Sequence, residues 1–132
     1  MTRHIATCSC GSLKVHCNGE PVRVSICHCT ECQRRTGSAF SANARFAVSA
    51  VTVEGKSQRF VRTGDSGKSL TFHFCPGCGS TLWWTLESVP DVVAVAVGAF
   101  ADPGFPAPRV SVYESRKLPW VSLPDTITHH LA

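Results

Sequence analysis

VRVSICHCTECQRRTG, Val22 to Gly37, changes character at Cys27. Its first part alternates, with Val22, Val24 and Ile26 on one side and Arg23, Ser25 and Cys27 on the other, the period-two pattern of a half-buried strand. Its second part packs three cysteines and a histidine into the positions from Cys27 to Cys32. Cys27 and Cys29, two apart on an extended chain, point to the same side, and Cys32 returns to them if the chain turns over Thr30 and Glu31. A strand running into converging thiols predicts a β protein organised around bound metal.

The same short-strand rhythm extends in both directions. "IATCSC" and "SLKVHC" flank a Cys-Gly-Ser turn and read as a hairpin. "AFSANARFAV" puts Phe40, Ala42, Ala44 and Phe46 on one side, and "VTVEG", "SQRFVRTG" and "SLTFHFC" continue the series. The last two are separated by "TGDSGK", a polar glycine-rich loop suited to a hairpin. "STLWWTL" and "DVVAVAVGAF" follow, then a proline-rich connection, a strand "RVSVYES" and a tail ending "DTITHHLA". Strands at this spacing predict an all-β architecture, a single domain over residues 1–132 with no internal repeat or linker.

A chain of 132 residues that is 43% hydrophobic and 17% charged is long and apolar enough to bury a core, which excludes a disordered reading. The longest apolar run, "VVAVAVGAFA", falls well short of the roughly 20 residues a spanning helix needs, so no membrane partner is expected. The start, "MTRHIATCSC", lacks the pattern of a secretory signal. The expectation is therefore a cytoplasmic protein whose eight cysteines meet a reducing environment, where ligand-spaced clusters point to metal rather than disulfides. Seven metal-bound thiolates and two zinc ions would bring the formal charge of +4 to about +1, so the basic pI is weak ground for a nucleic-acid partner.

The cysteines fall into three clusters and a single. Cys75 and Cys78, in "CPGCGS", form a knuckle whose sulfurs converge, supplying half a tetrahedral site. Cys8 and Cys10, a Cys-x-Cys, are the natural other half, giving a Cys₄ structural zinc that ties the N-terminal hairpin to a distant strand. Cys27, Cys29 and Cys32 make a three-ligand set with no fourth cysteine nearby in sequence. An open fourth position is what distinguishes catalytic from structural zinc. The alternative is that Cys17, His28 or His73 closes it into a second structural zinc. His28, between two ligands on the strand, should face away from the metal, and Cys17 reads as a buried small residue. Trp83 and Trp84 are adjacent, so they face opposite sides. Asp102 before Pro103 reads as a turn cap, and His129 and His130 as a mobile end.

"C-S-C-G-S-L", "C-H-C-T-E-C-Q-R-R-T-G-S-A-F", "F-C-P-G-C-G-S-T-L-W", "V-A-V-G-A-F-A-D-P" and "R-K-L-P-W" occur in the order and spacing of the glutathione-dependent formaldehyde-activating enzyme family, which also contains centromere protein V. The resemblance runs from about Cys8 to Trp120 and keeps seven cysteines in register. It implies a β-tent of antiparallel sheets, a structural zinc on Cys8, Cys10, Cys75 and Cys78, and a catalytic one on Cys27, Cys29 and Cys32. It also implies a carbon–sulfur lyase resembling S-(hydroxymethyl)glutathione synthase, with glutathione as co-substrate and a small aldehyde as its partner. A tripeptide thiol carries carboxylates, and Arg34, Arg35 and the backbone N–H groups around Gly37 and Ser38 are the candidates to bind them. The chain departs from the family pattern at Gln33, where a basic residue is common, and at Ser111, where a histidine often stands. The rival class is a non-catalytic binding module for protein or nucleic-acid partners, its zincs only holding the fold.

Overall fold

The structure, a computed structural model, describes residues 2–132. In chain order its strands are β1 (Arg3–Thr7), β2 (Lys14–Asn18), β3 (Arg23–Cys27), β4 (Ser41–Ala47), β5 (Val51–Glu54), β6 (Gln58–Thr63), β7 (Ser69–Phe74), β8 (Thr81–Leu86), β9 (Val92–Ala96), β10 (Val110–Val112) and β11 (Thr128–His129). One short helix, α1 (Thr30–Thr36), lies between β3 and β4. The all-β expectation holds. A three-stranded sheet runs in the order β1-β2-β5, and an eight-stranded sheet runs β11-β10-β3-β4-β9-β8-β7-β6. Pairing is antiparallel throughout except where β10 lies parallel to β3 and β11 parallel to β10.

Alternation gives the large sheet two different faces. Val24 of β3, Ala44 and Phe46 of β4, Leu82 of β8 and Val93 and Val95 of β9 pack with Ala6, Val15 and Cys17 of the small sheet in the main core. Phe46 is fully buried there, and Phe46→Ala would cost about 3–5 kcal/mol through lost burial and an unfilled cavity. The opposite face carries a smaller apolar cluster of Phe72, Trp84 and Ala94. Along β3 and β4 that face is polar, with Arg23, Ser25 and Cys27 paired across to Arg45, Asn43 and Ser41. Trp83 and Trp84 divide as their adjacency requires. Trp83 packs against the main core, its ring stacked on His73 at 3.6 Å, while Trp84 joins the second cluster.

Two segments differ from expectation. The turn over Thr30 and Glu31 is the first turn of α1, capped by the Cys29 sulfur accepting the Cys32 N–H at 3.3 Å. Glu31 sits in its first turn and Arg34 and Arg35 in its last, complementing the helix dipole. The tail is held rather than mobile: Thr128 N–H donates to Arg109 O and His130 N–H to Ser111 O, each at 2.9 Å, because β10 offers the tail an open edge. Asp102 does cap its turn, its Oδ1 accepting the Gly104 N–H at 2.9 Å. Among the described residues no helix is long and apolar enough to cross a membrane.

Candidate active site

The Cys75–Cys78 knuckle and the Cys8–Cys10 turn meet as expected. Gly11 and Gly79, directly after the second cysteine of each pair, hold φ of 85° and 80°, a conformation that glycine adopts at little cost and that turns the sulfurs inward. The four sulfurs lie within 4.8 Å of one another, with Cys10 3.6 Å from both Cys8 and Cys75. Four sulfurs about 2.3 Å from a tetrahedral zinc stand roughly 3.8 Å apart, so this donor set fits the ion. Ser12 Oγ lies 3.1 Å from the Cys10 sulfur and 3.3 Å from that of Cys75, and the Leu13 N–H donates to Cys8 at 3.2 Å. These contacts favour thiolates. The Ser80 hydroxyl and N–H bring Cys78 down to about 5, and at Cys8 the upward push of burial is outweighed by the Leu13 N–H and the neighbouring thiols, leaving about 7.

The second set is local. Cys27 ends β3, Cys29 caps α1 and Cys32 lies on its first turn, which brings the three sulfurs within 4.8 Å. Three soft donors at this spacing also suit zinc. Hydrogen bonds from Cys27 and Cys32 hold Cys29 down to about 2, and by the same sharing Cys27 is pushed well up. Among the described residues no fourth histidine, cysteine or carboxylate joins the group. Cys17 is buried in β2 on the far side of the sheet. His73 is stacked on Trp83. His28 is turned away and fully buried, its Nε2 3.0 Å from Ser111 Oγ and its ring against Phe40.

The three sulfurs open onto a cavity of about 600 Å³. Phe72, Trp84 and Ala94 form an apolar floor, and five arginines, Arg23, Arg35, Arg45, Arg62 and Arg116, line it against two acidic side chains, Glu31 and Asp65. The guanidinium of Arg35 lies 4.4 Å from the Trp84 ring and 4.8 Å from that of Phe72, and its Nη2 donates to Ser41 Oγ at 2.8 Å. Its Nε is buried without a partner. Tyr113 also lines the cavity. It holds a φ of 56°, rare for a residue with a side chain. Its phenol is pushed up by burial first and then by Asp65, Cys27 and Cys29.

Of the residues expected to read a substrate's carboxylates, only Arg35 lines this cavity. Arg34 pairs with Glu31 at 3.0 Å on the exposed side of α1. The Gly37 N–H donates to Gln33 O and the Ser38 N–H to Thr36 Oγ1, so both are engaged in ending the helix. Sequence reasoning missed Arg23, Arg45, Arg62, Arg116 and Tyr113. One signal was there: the alternation that puts Cys27 on one side of β3 puts Arg23 on the same side.

The sequence matches the family model for the glutathione-dependent formaldehyde-activating enzyme over residues 3–116. The chain belongs to this family. No curated protein matches it in sequence. Among solved structures it is similar to the crystal structure of a Rhodobacter sphaeroides protein, a Northeast Structural Genomics target, at 21% identity and a TM-score of 0.56, over 77% of this chain and 90% of that one. At that identity the likeness concerns the fold alone. The two departures from the pattern of the formaldehyde-activating enzymes converge on one residue. Gln33 Nε2 donates to His28 O at 2.8 Å and to Arg116 O at 3.1 Å, while Ser111 bonds the ring of His28. Both therefore brace the segment between Cys27 and Cys29 from behind.

Proposed function

We propose that this family member makes and breaks the carbon–sulfur bond between glutathione, or a similar thiol, and a small aldehyde, as a lyase of the S-(hydroxymethyl)glutathione synthase type. The observation that carries this reading is a three-sulfur cluster, with no further protein ligand among the described residues, in the wall of an arginine-lined cavity. When bound there, zinc supplies a soft Lewis acid that lowers the pKa of a substrate thiol. The Cys27, Cys29 and Cys32 thiolates are its ligands, and Cys8, Cys10, Cys75 and Cys78 hold the structural ion.

In the synthetic direction the thiol loses its proton, the sulfur lone pair forms the bond to the aldehyde carbon, and the carbonyl π electrons move to oxygen, which takes up a proton. We assign that proton to Tyr113, a cavity-lining residue whose raised pKa keeps its phenol protonated at neutral pH. Arg35, fixed between Phe72 and Trp84 with a free Nε, binds a substrate carboxylate. A cytoplasmic setting suits this chemistry, since none of the eight cysteines is paired in a disulfide. The test is S-(hydroxymethyl)glutathione formation and breakdown by zinc-loaded protein, with and without chelator. Chelator-sensitive turnover of both reactions is expected, and chelator-resistant turnover, or none, would reject the reading.

A further inference from the structure

Away from the thiols, the cavity is lined by two arginines on neighbouring strands. Arg23 of β3 and Arg45 of β4 are direct cross-strand partners on the cavity face. Like charges opposite one another on neighbouring strands repel. A folded chain tolerates such a pair on solvent-facing edges, but β3 and β4 are interior strands of the large sheet, flanked by β10 and β9. Neither side chain has an ion-pair or hydrogen-bond partner among the described residues, and the Arg23 Nε is buried with its donor unused. Burial, and then the charge of Arg23, hold Arg45 below its ordinary value. On the next strand Arg45 pairs with Ala94, a small side chain that also lines the cavity.

We propose that Arg23 and Arg45 form an anion subsite that determines specificity by binding an acid group of the thiol substrate remote from its sulfur. The inference rests on the thiol–aldehyde reading above and adds which residues measure the substrate's length. Arg23 and Cys27 are four positions apart on one strand, about 13 Å at roughly 3.3 Å per residue. An arginine side chain is long enough to lean along the strand toward the thiols, which reduces the span a substrate must cover. The substrate class that spans it is a short peptidic thiol whose terminal carboxylate lies one or two linking units from the cysteinyl sulfur. A guanidinium pair accepts that carboxylate through paired N–H donors and relieves its own repulsion on doing so. Arg35, close to the sulfurs, is left for a second acid group.

Two measurements on zinc-loaded protein test this. The first is the thermal midpoint with and without glutarate, a dicarboxylate lacking sulfur. Glutarate should raise the midpoint of the parent protein more than that of Arg23→Gln or Arg45→Gln, in which the pair is broken and Arg35 remains to bind it, and each variant without glutarate should melt at or above the parent because the repulsion is gone. The second is kcat/KM for glutathione against its diethyl ester. The parent should prefer glutathione, and the preference should shrink at least about tenfold in each variant, carried by KM. Undiminished preference in both variants overturns the subsite while leaving the thiol–aldehyde reading intact. If the parent turns over neither thiol but glutarate still stabilises it through the two arginines, the reading of function falls and the subsite stands. A glutarate response undiminished by both substitutions overturns the subsite.

Discussion

The two cysteine clusters are built from the same ligand chemistry and set in opposite surroundings. The first draws sulfurs from two turns 65 residues apart and surrounds them with the hydroxyls of Ser12 and Ser80. The second takes its sulfurs from six consecutive positions and turns them toward an arginine-lined hollow. Joining distant chain segments with four ligands confers stability, because metal binding there is folding free energy. Three ligands on one strand end and one helical turn join almost nothing that the backbone does not already join. On the proposed reading, what would distinguish a structural from a reactive metal is how much chain the ligands link and what fills the space beside them.

Breaking the first cluster should have the largest effect. Cys75→Ser is expected to lose its zinc and its cooperative melt by circular dichroism, a loss comparable with a domain's whole stability of about 5–15 kcal/mol. Cys32→Ser should instead stay folded, lose one of two zincs by mass spectrometry, and lose at least about a hundredfold in turnover. If the two variants unfold alike, the contrast disappears and the second metal is structural too. Tyr113→Phe sharpens the contrast further: zinc content and melting unchanged, with kcat down about tenfold to a hundredfold if the phenol is the proton donor.

The smallest effect concerns Cys17, which belongs to neither cluster. Burial pushes its thiol from 9.0 up to about 12. A folded-state pKa raised above the unfolded value leaves stability intact below about pH 9 and erodes it as pH rises toward 12, because only the unfolded chain ionises in that window. Urea titrations from pH 8 to 11 should show a shallower loss in Cys17→Ala than in the parent. Zinc content should be unchanged, and a zinc loss would mean that Cys17 supports a cluster after all.

Ligand spacing is a local property of sequence, which is why Cys27, Cys29 and Cys32 were legible as one set and Cys8–Cys10 and Cys75–Cys78 as two half-sites, joined because each supplies only half a tetrahedron. Strand alternation was legible for the same reason, and it placed Arg23 and Cys27 on a shared side. Which strand lies beside β3 was not, because register is set by tertiary packing; hence Arg45, the partner of Arg23, went unnoticed. Helix α1 escaped because seven residues are too few to display a helical period, and its start is capped by Cys29, a residue read only as a ligand. The two-residue strand β11 has no pattern of its own, since it exists because β10 provides its edge. Glu31 occupies Arg34 for an equally local reason, a three-residue spacing on a helix that the sequence did not reveal.

The parallel pairing of β3 with β10 bears on how the protein is born. His28 and Ser111, which lock those strands together, are 83 residues apart, so at about 5–20 residues per second a ribosome delivers the first roughly 4 to 17 s before the second. Throughout that interval Cys27, Cys29 and Cys32 already exist as a contiguous thiol tract, whereas Val112 and Tyr113, part of the finished wall, have not been made. Metal can therefore reach the nascent chain before there is any wall to cross, and delivery need not use the doorway later reserved for substrate.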